Sequence, residues 1–228
     1  NAAKNEIRTR LEKEGVQLPP NLFIGTIHSF LLEFVIKPYS HLFSKENIPF
    51  KLAPFGFAGK YKREISQMLN KPLYFIDASI IDALESLNRD ENGDPFCYRG
   101  KIPNDVAIWW KKLLKENGYI DQQDVVYLSY LILKKYEHIC NSLSVRFPYI
   151  LVDEYQDVTY FQEKLFLLLN HSTFFCVGDS NQSIFGFTGA QPENFISKWE
   201  SESYKSYTLC NNFRSTKHII HLANTKTD

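Results

Sequence analysis

The stretch Ile150-Leu151-Val152-Asp153-Glu154-Tyr155-Gln156-Asp157 carries the clearest information on the fold. Its apolar start is typical of a buried strand in a parallel sheet, and two adjacent carboxylates follow directly. Ligands of an open α/β sheet bind beyond the carboxyl ends of its strands. At that place Asp153 can hold Mg²⁺ through water, and Glu154 can take a proton from the water that attacks a γ-phosphate. An acid pair also suits a helix N-terminus, so the pair alone leaves both interpretations open.

A second apolar run ends in polar residues a short distance downstream. Thr173-Phe174-Phe175-Cys176-Val177-Gly178-Asp179 is followed by Gln182-Ser183-Ile184-Phe185-Gly186 and Phe187-Thr188-Gly189. Between the two runs, the stretch Phe161 to Leu169 has leucines at helical spacing. The pattern predicts a strand, a helix and a parallel strand, which places both polar ends at one edge of the sheet.

These residues resemble the UvrD/Rep family of superfamily 1 helicases, and matches in the family's order run from the first residue to about Thr216. The resemblance implies a RecA-like P-loop NTPase domain of the α/β class with an α-helical insertion subdomain. The matching motifs are Ia (Asn1 to Ile7), Ib (Gly25 to Phe30), Walker B (Asp153 to Asp157), the third motif (Val177 to Gly186) and the fourth motif (Asn212 to Thr216).

The resemblance also implies roles in ATP hydrolysis. Asp153 is expected to bind Mg²⁺ through water, and Glu154 to act as the general base. Gln182 is expected to contact the γ-phosphate, and Arg214 to reach the same phosphate as an arginine finger. Phe213 stands where the family usually has a tyrosine that stacks on adenine.

The DNA contacts implied by the resemblance are Thr26, His28, Phe30 and Phe187. Hydroxyl and imidazole groups can bind phosphate, and Phe187 can stack on a base. Phe30 is equally compatible with a place in the core. Thr188 lacks the charge of the arginine that the family usually has there. The implied substrates are single-stranded DNA, tracked 3′ to 5′, and junctions of single- and double-stranded DNA.

The domain boundaries follow from the change from strand patterns to helical patterns along the chain. We expect helices near residues 1–15 and 28–35, the second ended by Pro38, and a short strand from Leu22 to Thr26. Further helices are predicted for residues 60–69, 79–87, 106–116 and 123–136. By resemblance, residues 1–29 and 147–206 form domain 1A, residues 30–146 the helical insertion and residues 207–228 the start of domain 2A.

The sequence contains no Gly-x-x-x-x-Gly-Lys-[Ser/Thr], the loop that cradles phosphates. In the family that loop stands just upstream of motif Ia. We therefore expect the chain to be a fragment cut after this loop and shortly after the fourth motif, and to be inactive by itself.

The composition fits a globular protein and leaves the partner open. Hydrophobic residues make up 44% and charged residues 23%, which excludes wholesale disorder. The 26 basic residues balance the 26 acidic ones, so net charge neither indicates nor excludes DNA. The four scattered cysteines give no zinc pattern and predict reduced thiols in a cytoplasmic protein. No apolar run is long enough to cross a membrane.

Other interpretations remain open from the sequence. Phe34-Val35-Ile36-Lys37-Pro38-Tyr39 and the short insertion resemble the UvrD-like ATPase of Gabija-type systems, which act in anti-phage defence. A non-catalytic DNA- or protein-binding module is the alternative if the whole gene lacks the phosphate loop. A carboxylate nuclease is disfavoured, because one nucleotide site already accounts for the acids. In Trp109-Trp110-Lys111-Lys112 we expect one tryptophan in the core and both lysines in solvent, and Asp121 and Asp124 receive no role.

Overall fold

The computed structural model describes residues 2–42, 51–98, 102–183 and 189–225. The α-helices are α1 Ala2–Lys13, α2 Ile27–Leu31, α3 Lys37–Tyr39, α4 Lys62–Met68, α5 Ala78–Glu85, α6 Asn104–Glu116, α7 Gln122–Lys135, α8 Glu137–Arg146, α9 Tyr160–Leu168, α10 Pro192–Glu200 and α11 Lys217–Asn224. The strands are β1 Lys51–Leu52, β2 Asn88–Arg89, β3 Pro95–Phe96, β4 Tyr119–Ile120, β5 Tyr149–Val152 and β6 Thr173–Cys176. Helices and parallel strands thus occur in one α/β chain, and none of the described helices is long and apolar enough to cross a membrane.

The predicted strand, helix and parallel strand are confirmed. Strands β5 and β6 pair in parallel, with Tyr149 opposite Thr173 and Val152 opposite Cys176. Helix α9 connects them and begins with a capping box, in which the Thr159 and Gln162 side chains each bond the other residue's backbone. Both strands therefore end on the same edge, as the sequence pattern predicts.

The prediction that these strands are buried on both faces is wrong. Ile150 and Val152 pack against the hydrophobic clusters, whereas Leu151 is 74% exposed and Phe175 is 58% exposed. Successive side chains of a strand point to opposite faces, and the described elements cover only one face of this pair. The apolar run alone did not reveal this one-sided burial.

The segment from Leu22 to Thr26 is not a strand, contrary to the sequence pattern. No described strand pairs with it. Its aromatic side chain is buried in another way, because the Phe23 ring lies 5.7 Å from the Phe30 ring and 5.3 Å from the Phe34 ring. An apolar run forms a strand only where a neighbouring strand takes its backbone hydrogen bonds, and here the aromatic cluster decides the conformation.

The predicted first helix is confirmed, and Gly15 follows it with a φ of +72°, the left-handed conformation that ends many helices. The second helix begins as predicted but is not broken by Pro38. After α2 the chain forms a π-helix over Leu32–Ile36 and continues into α3, which contains Pro38 near its start. The change of winding directly before Pro38 interrupts the regular ladder, so the missing proline N–H costs little there.

The α-rich region has its own hydrophobic core. Helices α4, α5, α6 and α7 match the predicted ranges to within a few residues. The core of residues 57–114 is centred on Trp110, which is 1% exposed, together with Phe57 and Ile65. A separate cluster joins residues of α2, α7 and α8 to Phe147 and Leu165.

Lys111 corrects the prediction that both lysines after Trp110 face solvent. Its side chain is 4% exposed, with Nζ 2.5 Å from Oδ2 of Asp121 and 3.0 Å from Oδ1 of Asp124. Arg89 adds a second cation, 2.7 Å from Asp124. Lys112 is 73% exposed, as predicted. A buried lysine is tolerated only with partners, and the two aspartates supply them.

The chain divides into two compact units, Asn1–Phe195 and Ile196–Asp228. The second unit contains α11 and most of α10. The assignment of the domain boundaries to named subdomains stays a prediction.

Candidate functional site

Two adjacent carboxylates stand at the carboxyl end of β5. Asp153 and Glu154 are both exposed, and Oδ1 of Asp153 accepts a hydrogen bond from the backbone N–H of Glu154 at 3.0 Å. Glu154 has φ +52° and ψ +45°, a left-handed conformation that is uncommon for a residue with a side chain. Such strained residues cluster at active sites, where the surrounding structure holds them in place.

A buried glutamine connects this acid pair to the end of β6. Gln156 is 1% exposed, and its Nε2 donates to Oε2 of Glu154 at 2.8 Å. Its Oε1 accepts the backbone N–H of Asp179 at 3.0 Å. One side-chain amide therefore contacts both strand ends.

The loop after β6 is folded around Asp179. Its Oδ1 accepts the N–H of Asn181 at 3.0 Å, and its Oδ2 accepts Nε2 of Gln182 at 2.7 Å. Gln182 ends a short 3₁₀ turn, Ser180–Gln182, and is exposed. The structure thus brings Gln182 into one continuous row of hydrogen bonds with Glu154, through Asp179 and Gln156.

Gly178 allows the two strand ends to approach closely. A Cβ at this position would lie 2.6 Å from Oε1 of Gln156 and 3.2 Å from the backbone nitrogen of Tyr155. The backbone pairing continues here, since the N–H of Tyr155 donates to the carbonyl of Val177 at 2.8 Å. Only glycine leaves room for the amide of Gln156 between the strands.

The electrostatics of the β5 end favour a cation. Burial, and then the charge of Glu154, raise the pKa of Asp157 above its usual value. The described residues contain no group of three or more metal-ligating side chains. The exposed carboxylate of Asp153 still fits Mg²⁺, because this ion keeps several waters and is commonly held by one or two carboxylates together with substrate phosphates.

The predicted DNA contacts of motif Ib lie at the start of α2. Thr26 is the N-cap, and its side chain accepts the N–H of Ser29 at 3.2 Å. His28 is half-buried; burial lowers its pKa, and a hydrogen bond to the backbone of Gln122 opposes this shift. Phe30 lies in the aromatic cluster, 5.1 Å from the ring of Phe147. Capping and core contacts thus account for part of what these side chains do.

The remaining predicted residues are placed apart from this site. Phe187, Thr188 and the stretch 184–186 lie outside the described residues. Phe213 and Arg214 belong to the unit Ile196–Asp228 and are exposed. The Asn212 side chain accepts the backbone N–H groups of Arg214 and Ser215, each at 2.9 Å.

Two features of the site were missed by the sequence predictions. Gln156 stands inside the Walker B-like motif but received no role, and Gly178 was treated as part of a strand end. The sequence signal for both was present, namely a polar residue after an acid pair and a glycine at the end of an apolar run. Only the paired strands show that these two residues meet.

The comparisons with known proteins agree with this geometry. Residues 1–202 match the UvrD/REP helicase N-terminal domain family. The chain is 28% identical over 98% of its length to the ATP-dependent DNA helicase Rep of Buchnera aphidicola subsp. Schizaphis graminum, covering 35% of that protein. It is 26% identical over 98% of its length to the Rep helicase of Escherichia coli, covering 34% of it. A further relative is an ATP-dependent helicase/nuclease of Lactobacillus gasseri, 34% identical over 50% of the chain and covering 10% of that protein.

The chain spans about a third of the length of the Rep proteins that it matches. The family match covers residues 1–202 of the 228. The chain therefore belongs to the UvrD/Rep helicase family.

Proposed function

We propose that this chain forms part of the motor of an ATP-dependent DNA helicase or translocase of the UvrD type. The observation that carries the proposal is the row of hydrogen bonds from Glu154 through Gln156 and Asp179 to Gln182, at the ends of two paired parallel strands. The carboxyl ends of parallel strands are where α/β folds bind ligands. The names of the relatives, ATP-dependent DNA helicases, support the same activity.

The residues of the site divide the chemistry among them. The carboxylate of Glu154 takes a proton from the water that attacks the γ-phosphate, and Gln182 hydrogen-bonds that phosphate. Asp153 would hold Mg²⁺ through water, and the bound ion would neutralise charge on the phosphates. Phe213 stacks on the adenine, and the guanidinium of Arg214 stabilises the charge that develops on the transferred phosphoryl group.

The DNA side of the proposal rests on motif Ib and the third motif. Thr26 and His28 contact the backbone of single-stranded DNA, and Phe187 stacks on a base, with Phe30 behind them. The motor moves 3′ to 5′ and opens junctions of single- and double-stranded DNA during replication or repair in the cytoplasm. The four free cysteines fit a reducing compartment.

The subdomain assignment belongs to the same proposal. Residues 1–29 and 147–206 form RecA-like domain 1A, residues 30–146 the helical insertion and residues 207–228 the start of domain 2A. The separate core around Trp110 supports an insertion with its own interior.

The experiment that tests the proposal is Glu154→Gln in the complete protein. ATP binding should persist, because the amide keeps the size of the side chain, while DNA-stimulated turnover falls by about 10² to 10⁴, the usual contribution of a general base. The matched control is Glu64→Gln, an exposed glutamate of α4, which should turn over ATP at the unchanged rate. If Glu154→Gln also kept its turnover, Glu154 would be structural and the proposed site would be wrong.

A further inference from the structure

Gln156 is the buried polar side chain whose contacts at this site have no role in the chemistry proposed above. It is 1% exposed, lies on the 3₁₀ turn Tyr155–Asp157 and uses both ends of its amide. A buried amide left with an unused donor or acceptor costs free energy, so its two hydrogen bonds fix its orientation.

The donor end of this amide acts on Glu154. The left-handed backbone of Glu154 is a costly conformation for a residue with a side chain, and its carboxylate is exposed. The bond from Nε2 of Gln156 to Oε2 of Glu154 is the side-chain contact that orients this carboxylate in the described residues. The other carboxylate oxygen is Oε1, which this bond leaves for a water molecule.

The acceptor end acts on the neighbouring strand. Oε1 of Gln156 holds the backbone N–H of Asp179, and Asp179 in turn holds the amide of Gln182. Gly178 makes the close approach of these strands possible, since a Cβ there would lie 2.6 Å from Oε1 of Gln156. A shift of the loop that carries Gln182 is therefore passed to the carboxylate of Glu154 through one side chain.

We propose that Gln156 is a positioning residue that holds the general base Glu154 in register with the γ-phosphate contact Gln182. Gln156 touches neither the nucleotide nor the attacking water. It couples the two groups that do, so that the base is oriented only when the loop after β6 is in place. This inference rests on the proposed function of Glu154 and Gln182.

Two variants of the complete protein test the proposal. Gln156→Met keeps the length of the side chain and removes both hydrogen bonds, whereas Gln156→Glu keeps an acceptor for Asp179 and replaces the donor with a charge that repels Glu154. Both should lower the kcat of DNA-stimulated ATP hydrolysis by about 10- to 100-fold, as expected for a misplaced catalytic group, with KM for ATP changed by less than about 3-fold. Gln156→Glu serves if Gln156→Met does not fold.

The matched control is Gln162→Met. Gln162 is another buried glutamine, and its Oε1 accepts the backbone N–H of Thr159 at 2.9 Å in the capping box of α9. Its replacement should lower the melting temperature and leave kcat within about 2-fold. A loss of kcat in Gln162→Met equal to that in Gln156→Met would mean that the effect is general destabilisation, and would overturn the proposal.

A double variant separates positioning from an independent role. If Gln156 acts through Glu154, adding Gln156→Met to Glu154→Gln should reduce the remaining single-turnover rate by less than about 2-fold, because residues that act as a unit are not additive. Losses that multiply would overturn the proposal. Full turnover in Gln156→Met and Gln156→Glu, with turnover abolished in Glu154→Gln, would refute the role of Gln156 alone; full turnover in Glu154→Gln would refute the proposed function.

Discussion

The ammonium group of Lys111 lies 2.5 Å from Oδ2 of Asp121 in the interior of the α-rich region. It also lies 3.0 Å from Oδ1 of Asp124, which Arg89 contacts from the other side. Two cations thus balance two buried carboxylates. The aspartates also build local structure, because Asp121 caps α7 by accepting the N–H of Asp124 at 2.9 Å.

Lys111→Met is expected to destabilise the chain strongly. It removes the cation between the two carboxylates, and breaking one partner of a buried ion pair typically costs about 3 to 5 kcal/mol. Urea unfolding at neutral pH measures the loss. Lys112→Met is the matched control, because the neighbouring lysine is 73% exposed, and its free energy of unfolding should change by less than about 0.5 kcal/mol. Equal effects of the two variants would show that the buried cluster does not support the fold.

Asp121 is expected to make stability depend on pH in the mildly acidic range. Burial raises its pKa to about 6, although Lys111 acts in the opposite direction. The folded chain therefore binds a proton at this group that the unfolded chain, with a pKa of about 3.9, has already lost. The contribution of Asp121 to stability falls as the pH rises from about 4 to about 6 and is constant above that.

The measurement is the unfolding free energy of the chain and of Asp121→Asn at several pH values from 4 to 7. The difference between them cancels the other carboxylates, and the chain should lose stability relative to the variant as the pH rises. Asp124 should not mask this change, since Lys111 and Arg89 outweigh its burial and lower its pKa. A difference that does not change with pH would contradict the assignment.

Gly178→Ala is expected to disturb the candidate site. Its Cβ would meet backbone as well as the Gln156 amide, so the neighbours cannot simply rotate away. Overpacking of this kind costs about 1 to 3 kcal/mol, which thermal unfolding would detect. Gly59→Ala is the control: its Cβ would meet only Ile81, at 3.8 Å, so its melting temperature should stay the same or rise slightly. A fully stable Gly178→Ala variant would show that the two strand ends can separate freely.

Phe187→Ala in the complete protein is expected to weaken binding of single-stranded DNA more than it weakens the fold. The residue follows a glycine and precedes Thr188-Gly189, a pattern that favours an exposed ring. Loss of one stacked base costs about 1 to 3 kcal/mol of binding free energy. DNA affinity and melting temperature should be measured on the same preparation. Unchanged affinity together with a large loss of stability would assign Phe187 to the core.

The 228-residue chain by itself is expected to hydrolyse no ATP. Its sequence has no phosphate-cradling loop, so the β- and γ-phosphates have no backbone cradle. A phosphate-release assay with single-stranded DNA present tests this, using the complete protein as the positive control. DNA-stimulated turnover by the purified chain would show that other residues hold the phosphates.

The sequence by itself determined the local structure of this protein. Helical spacing predicted α4 to α7 and α9, and the two apolar runs before Asp153 and Asp179 predicted β5 and β6 with their parallel order. These features depend on neighbours along the chain, which periodicity and turn residues encode directly. The acid pair at the end of β5 was predicted for the same reason.

Tertiary structure alone decided which of these residues meet. The segment Leu22 to Thr26 has the composition of a strand but no described strand beside it, and Lys111 is buried because two aspartates further along the chain reach it. Gln156 joins Glu154 to Asp179 only because the ends of β5 and β6 lie side by side. Burial and hydrogen bonding between distant residues are properties of the packed chain, and no local pattern specifies which partner a polar side chain will find.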